Sequence, residues 1–234
     1  MVTKTDYKKT LKDLYRPSIK KPVILDVPRM NFLMMDGSGN PNTSPDYQAV
    51  VEALYGVAYA LKFAAKQELE QDYVVMPLEG LWWGTEMGKH SFTEEDKDQF
   101  QWTMMIMQPD FITQDMFHQA VAAVERKKGL TNLSEMRLEA LEEGTSVQIM
   151  YVGAYDDEGP TIQQMHQFAF DQGYQLRGKH HEIYLSDPRR TAPDKLKTVL
   201  RHPIEKVSGD NKPGADKARA KKTERKDFWM GILV

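Results

Sequence analysis

The sequence predicts an α+β chain built from two βαββ units. Three observations carry this. Strand-type alternation and helix-type periodicity follow one another in the order strand, helix, strand, strand, twice over. Hydrophobic residues are 41% of the 234, enough for a sizeable core. Each helical stretch carries its own start or stop signals. The halves fall at about 22–110 and 134–207. Literal identity between them is slight, so the repeat is one of structure.

Residues 1–21 are polar and charged, with Leu11, Leu14 and Tyr15 at helical spacing, and read as a loosely docked arm. Two short apolar runs flank Pro28. The second, Met30–Met35, is a strand closed by the turn residues Asp36-Gly37-Ser38-Gly39-Asn40-Pro41. Ser44 then caps a helix with Pro45 at its first position. Tyr47, Val50, Val51, Leu54, Ala58 and Leu61 share its apolar face, and it runs to about Lys66. Asp72–Pro77 is the next strand, leading into Leu78-Glu79-Gly80-Leu81-Trp82-Trp83-Gly84; a polar loop follows to about Asp98, and then the strand Phe100–Met107.

The second half repeats the order. A helix opens near Thr113 and ends at Lys127-Lys128-Gly129, a basic, glycine-terminated end. Met136–Glu143 and Ser146–Tyr155 read as a hairpin around Gly144. Pro160–Gln172 is a helix with Ile162, Met165, His166 and Ala169 on its face. His180–Ser186 and Lys195–His202 close the unit. Residues 208–234 differ in kind: a basic linker ends in the apolar run Phe228–Val234, and reads as a flexible tail, either a docking segment or cloning-derived.

Composition narrows the function. The net charge of −3 argues against a nucleic-acid binder. The absence of cysteine excludes disulfides, thiolate zinc sites and cysteine nucleophiles. No apolar leader or span follows Met1, so a cytoplasmic protein without a membrane partner is expected. No P-loop, dinucleotide turn or nucleophile elbow is present, and no cofactor is expected. No metal site is expected either. His180-His181-Glu182 alternate across a strand, and His90, His118, His166 and His202 are scattered in the sequence.

One stretch stands out, Gly178–Pro188. Glu182 and Tyr184 share one strand face, with Ile183 and Leu185 on the other. A mid-strand glutamate either points to solvent or is a groove-facing anion with a task. Trp82, Trp83, Tyr151, Tyr155, Tyr184, Phe32 and Trp102 lie on or beside predicted strands. Alternation sends Trp82 and Trp83 to opposite faces, and the register decides which one meets a groove. Aromatic walls around one carboxylate suit a flat, amphipathic or cationic ligand.

Phe32–Pro41, Pro77–Trp83, Val152–Tyr155, His181–Pro188 and Lys195–Pro203 together resemble the GyrI-like small-molecule-binding domain, and more narrowly its stand-alone bacterial branch. The resemblance spans about residues 15–207. It implies two pseudo-symmetric βαββ units forming an antiparallel-rich sheet, with helices on one side and a central ligand groove. It makes Glu182 the groove acid, with Tyr155 nearby as a second candidate catalytic group. Some stand-alone relatives hydrolyse the cyclopropane of cyclopropanoid DNA-alkylating antibiotics. The resemblance therefore implies detoxification of a xenobiotic by a hydrolase. The alternatives are a non-catalytic multidrug-binding or sequestering protein and a gyrase-interacting inhibitor. The ligand, not a protein partner, is what the sequence addresses.

Overall fold

The structure, a computed structural model, describes residues 3–84, 97–129 and 132–207. The predicted tail at 208–234 and His90 lie outside the described residues. The strands are β1 (Lys4–Thr5), β2 (Val23–Val27), β3 (Met30–Ser38), β4 (Asp72–Tyr73), β5 (Leu78–Trp83), β6 (Gln101–Gln108), β7 (Arg137–Leu141), β8 (Gly144–Val152), β9 (Tyr174–Leu176), β10 (His180–Tyr184) and β11 (Lys197–Lys206). The helices are two single turns, α1 (Tyr7–Thr10) and α2 (Lys12–Tyr15), then α3 (Pro45–Glu68), α4 (Gln114–Lys128) and α5 (Gly159–Asp171).

Local chemistry sets the helix ends. The Ser44 hydroxyl accepts from the Tyr47 N–H with Pro45 in the first turn, and Thr113 caps α4 in the same way. Gly129 ends α4 in the left-handed conformation at φ 65°.

Among the described residues nine strands form one sheet. Its main path runs β2–β8–β11–β10–β5–β6–β3–β7, with β9 added to β11. Every pairing in it is antiparallel. The unit β3–α3–β5–β6 lies in the sheet as β5–β6–β3, and the unit β8–α5–β10–β11 lies as β8–β11–β10. The two orders are related by a pseudo-twofold that passes between β5 and β10.

The predicted hairpin at Gly144 does not form. β7 pairs with β3 at one edge of the sheet, while β8 pairs with β2 near the other. The same exchange occurs before the first unit, where β2 leaves for β8 and β3 stays with β6 and β7. Residues 28–29 and 142–143 are all that join these partners, and such links reach about 10 Å. The sheet therefore curls until its two edges come close. A two-residue corner looks the same in sequence whether the chain doubles back or crosses to a distant edge.

The second strand of the first unit is also shifted. Only Asp72 and Tyr73 of the predicted Asp72–Pro77 strand pair, in parallel with β1, and Leu78–Trp83 takes the sheet position.

Direct pairing fixes the faces. Met35, Met104, Gly80, Glu182, Leu200 and Ile149 are opposed in turn across the sheet and share one face. α3 covers this face over β3 and β6, and α5 covers it over β8. α4 packs on α3. The Trp102 ring lies flat on Gly37, where an added Cβ would sit 2.1 Å from its Cη2. Only glycine permits that approach.

The N-terminal arm is not loosely docked. Leu14 and Tyr15 are buried, and the arm closes on a polar network on the other face of the sheet. His181 bridges two carboxylates there, with Nε2 3.0 Å from Glu79 and Nδ1 3.0 Å from Glu143. Arg201 donates to Glu143 at 3.0 Å, to Gln148 at 3.0 Å and to the Leu14 carbonyl at 2.9 Å. The Tyr15 hydroxyl donates to Glu79 at 2.9 Å. Burial alone would lower the His181 pKa, but Glu143 and Glu79 outweigh it and raise it to about 9. Burial would likewise raise Glu143, yet His181 and Arg201 bring it down to about 2. His181 and Arg201 thus face Glu79 and Glu143 inside the fold. Among the described residues no helix is long and apolar enough to cross a membrane.

Candidate functional site

The pseudo-twofold seam runs between β5 and β10, with α3 over one half of the face and α5 over the other. Glu182 sits on the seam, on the helix-covered face, opposite Gly80. Its side chain is 12% exposed. An added Cβ at Gly80 would lie 2.6 Å from Met104 Cε and 2.8 Å from Trp82 Nε1. The bare glycine therefore gives the Trp82 indole room to lean towards Tyr184.

A relay of hydrogen bonds follows. Trp82 Nε1 donates to the Tyr184 hydroxyl at 2.9 Å, and that hydroxyl donates to Glu182 Oε2 at 2.8 Å. The other oxygen, Oε1, lies 3.3 Å from His180 Nε2, an ion-pair distance without hydrogen-bond alignment. Glu158, at the start of α5, hydrogen-bonds Glu182 and is itself buried.

The two carboxyls are pushed apart. Burial, then the charge of Glu182, holds Glu158 well above the ordinary glutamate range. Burial would raise Glu182 as well, but the His180 ring, Glu158 and the Tyr184 hydroxyl outweigh it and hold it below its ordinary value. Of the two, Glu158 holds its proton the more tightly, because burial and the Glu182 charge both disfavour its ionised form.

Aromatic rings line the seam. Tyr155 meets Tyr184 edge-on at 5.6 Å between centroids. Burial, then Glu182, pushes the Tyr155 hydroxyl up to about 12, so it stays a donor. Tyr47 stacks on Trp82 at 6.5 Å and meets Trp102 edge-on at 5.3 Å. Phe100 meets Trp82 edge-on at 6.0 Å.

The remaining candidates are placed as follows. Trp102 is on the Glu182 face but fully buried beneath Tyr47, its N–H on the Gly39 carbonyl. Tyr151 is on the same face across β11, its hydroxyl tied to the Ala154 carbonyl at 2.9 Å. Trp83 points to the other face, donates to Gln101 at 2.8 Å and carries Lys179 Nζ 3.2 Å above its ring. Phe32 is fully buried and also on the other face, because it opposes Met107 rather than standing in line with Met104. Neither Trp83 nor Phe32 joins the Glu182 cluster.

Four groups were not among the sequence candidates: Glu158, Tyr47, His180 and His202. The signal for His180 was present, since residues 180, 182 and 184 alternate onto one face. The histidines are not scattered in space. His166 on α5, His180 on β10 and His202 on β11 bring ring nitrogens within 4.8 Å of one another. Burial, then His180 and His166, lowers His202 to about 2, which keeps it a neutral imidazole. A groove of about 260 Å³ between α3 and α4, lined by Ala60, Ala64, Glu68, Met116, Gln119 and Ala120, shares no residue with the cluster.

The model of the GyrI-like small-molecule-binding domain matches residues 20–205. The chain belongs to this family. An uncharacterised conserved protein of Listeria innocua is similar at 41% identity and a TM-score of 0.79, over 86% of this chain and all of that one. Two Listeria innocua structures described as hydrolases are similar at 39% and 40% identity, with TM-scores of 0.76 and 0.77, over 86% and 87% of this chain and all of theirs. No curated protein matches. As a GyrI-like domain the chain takes a small-molecule ligand, and the Glu182 cluster on the seam is the candidate place for it.

Proposed function

We propose that this GyrI-like protein binds flat, amphipathic or cationic xenobiotics at Glu182 and adds water to the cyclopropane of cyclopropanoid DNA-alkylating antibiotics. The observation that carries this reading is the Trp82–Tyr184–Glu182 relay, which fixes a carboxylate among aromatic rings. The similarity to two Listeria proteins described as hydrolases supports the catalytic half of it.

The chemistry asks for little. Trp82, Tyr47 and Tyr155 hold the flat substrate by ring contact. Glu182 takes a proton from a water as its oxygen bonds to the strained CH2 carbon. The cyclopropane C–C bond breaks, and its electron pair aromatises the conjugated dienone to a phenolate. Tyr155 donates a hydrogen bond towards that oxygen, which takes up through solvent the proton that Glu182 gives back, so the carboxylate is restored and the balance is one water added. Strain relief and aromatisation supply the driving force.

The test is direct. Incubation of the protein with a cyclopropanoid of the CC-1065 class, followed by mass spectrometry, gives a product heavier by one water. Binding with no such product would leave the second reading, a sequestering protein. That reading is favoured by the same anion among rings, which suits an aromatic cation.

A further inference from the structure

We infer that His166, His180 and His202 form a binding site for a divalent transition metal of the zinc class, beside Glu182 on the α5 side of the sheet. The residues come from three elements, α5, β10 and β11, and converge between the helix and the sheet.

Two observations support the site independently. The first is geometry. One ring nitrogen from each histidine lies within 4.8 Å of the other two. The ring centroids are 5.0 Å apart for His166 and His202, 5.8 Å for His180 and His202, and 6.5 Å for His166 and His180. Zinc holds imidazole nitrogens at about 2.0–2.1 Å in a tetrahedron, which puts neighbouring ligands about 3.3 Å apart. Closing the set to that spacing needs each nitrogen to move by about 1 Å. Glu182 Oε1 stands 3.3 Å from His180 Nε2, next to the histidine set but not one of the three groups that converge.

The second is an unmet need. His180 and His202 are more than nine-tenths buried. Nδ1 of His180 and Nδ1 of His202 have no hydrogen-bond partner among the described residues, while Nε2 of His180 faces Glu182. Buried imidazoles are normally satisfied by a donor or acceptor. Here the rings of His180 and His202 lie against one another and against His166, and a cation would give the two open Nδ1 atoms a partner.

The donor set selects the metal class. Three imidazoles suit zinc and its first-row neighbours, not calcium or magnesium, which prefer oxygen. Glu182 divides its two oxygens, Oε1 towards the histidines and Oε2 towards Tyr184. The metal side and the ring-lined side of the seam therefore meet at one carboxylate.

This inference does not rest on the hydrolysis reading, and its test uses no organic substrate. The full chain is stripped of metal with chelator, then titrated with Zn2+ by calorimetry and with Co2+ by visible absorption. One equivalent of Zn2+ should bind, and Co2+ should give the intense bands of a tetrahedral nitrogen site. His166→Ala and His202→Ala, checked for folding by circular dichroism, should each weaken Zn2+ binding at least a hundredfold. Glu182→Gln should weaken it about tenfold. His118→Ala, on exposed α4, should change nothing. Failure of the wild-type chain to bind one equivalent overturns the inference, whatever the variants do. So does binding that survives unchanged in folded His166→Ala.

Discussion

Trp82 on β5 and Glu182 on β10 are joined through a single hydroxyl. The indole N–H reaches Tyr184 at 2.9 Å, and Tyr184 reaches the carboxylate at 2.8 Å, across the pseudo-twofold seam. One strand from each half contributes, so neither half builds the site alone.

Tyr184→Phe removes the middle of this relay and leaves the ring. The Trp82 N–H and one lone pair of Glu182 lose their partner, which costs about 1–3 kcal/mol for such part-buried groups. Urea denaturation should show that loss with an unchanged m-value. Full stability in the variant would mean that the hydroxyl is not holding the two residues together.

The two tryptophans should separate functionally. Trp82→Phe should weaken binding of a flat aromatic cation such as rhodamine 6G by about tenfold, because stacking and cation–π contacts of this kind are worth about 1 kcal/mol or more. Trp83→Ala should leave binding within about twofold, because its ring faces Lys179 on the other side of the sheet. Fluorescence anisotropy of the dye reads both. The reverse ranking would move the ligand to the opposite face.

Gly37→Ala tests the packing under the site. The new methyl would sit 2.1–2.5 Å from three atoms of the Trp102 ring, which is itself fully buried. Overpacking of this kind costs about 3 kcal/mol. A melting temperature within a degree or two of wild type would contradict the close approach.

Acid should act through the network on the other face. Glu143 is held at about 2 against an ordinary 4.5. A depressed carboxyl contributes stability that is complete above its unfolded value and lost as pH falls through its folded one. Stability should therefore fall between about pH 4.5 and 2, by on the order of 3 kcal/mol from this group. Chemical denaturation at stepped pH checks it. Glu143→Gln should be strongly destabilised near neutrality, because Arg201 and His181 are left without their shared anion.

Much of the fold was legible because helices announce themselves locally. The Ser44-Pro45 start and the Gly129 end are chemistry within a few residues, and the structure has both. The corner at Gly144 was not legible, since its two residues carry no record of which distant strand β7 will join. The site divides in the same way. That Glu182 and Tyr184 share a face follows from period two. That Trp82 and not Trp83 joins them depends on the β5–β10 register, which sets Trp82 opposite His180. Glu158 precedes Gly159-Pro160 and looks in sequence like any acid before a helix; only the fold brings it against Glu182 of β10. His166, His180 and His202 lie in three separate elements, and spacing along a chain does not reveal a meeting made by strand order.

The most direct measurement is single-turnover hydrolysis of a CC-1065-class cyclopropanoid by Glu182→Gln, with binding measured alongside. The account predicts that the variant still binds within a few-fold of wild type while formation of the water adduct falls at least a hundredfold, the scale of general-base catalysis. Adduct formation at the wild-type rate, with binding unchanged, would contradict it.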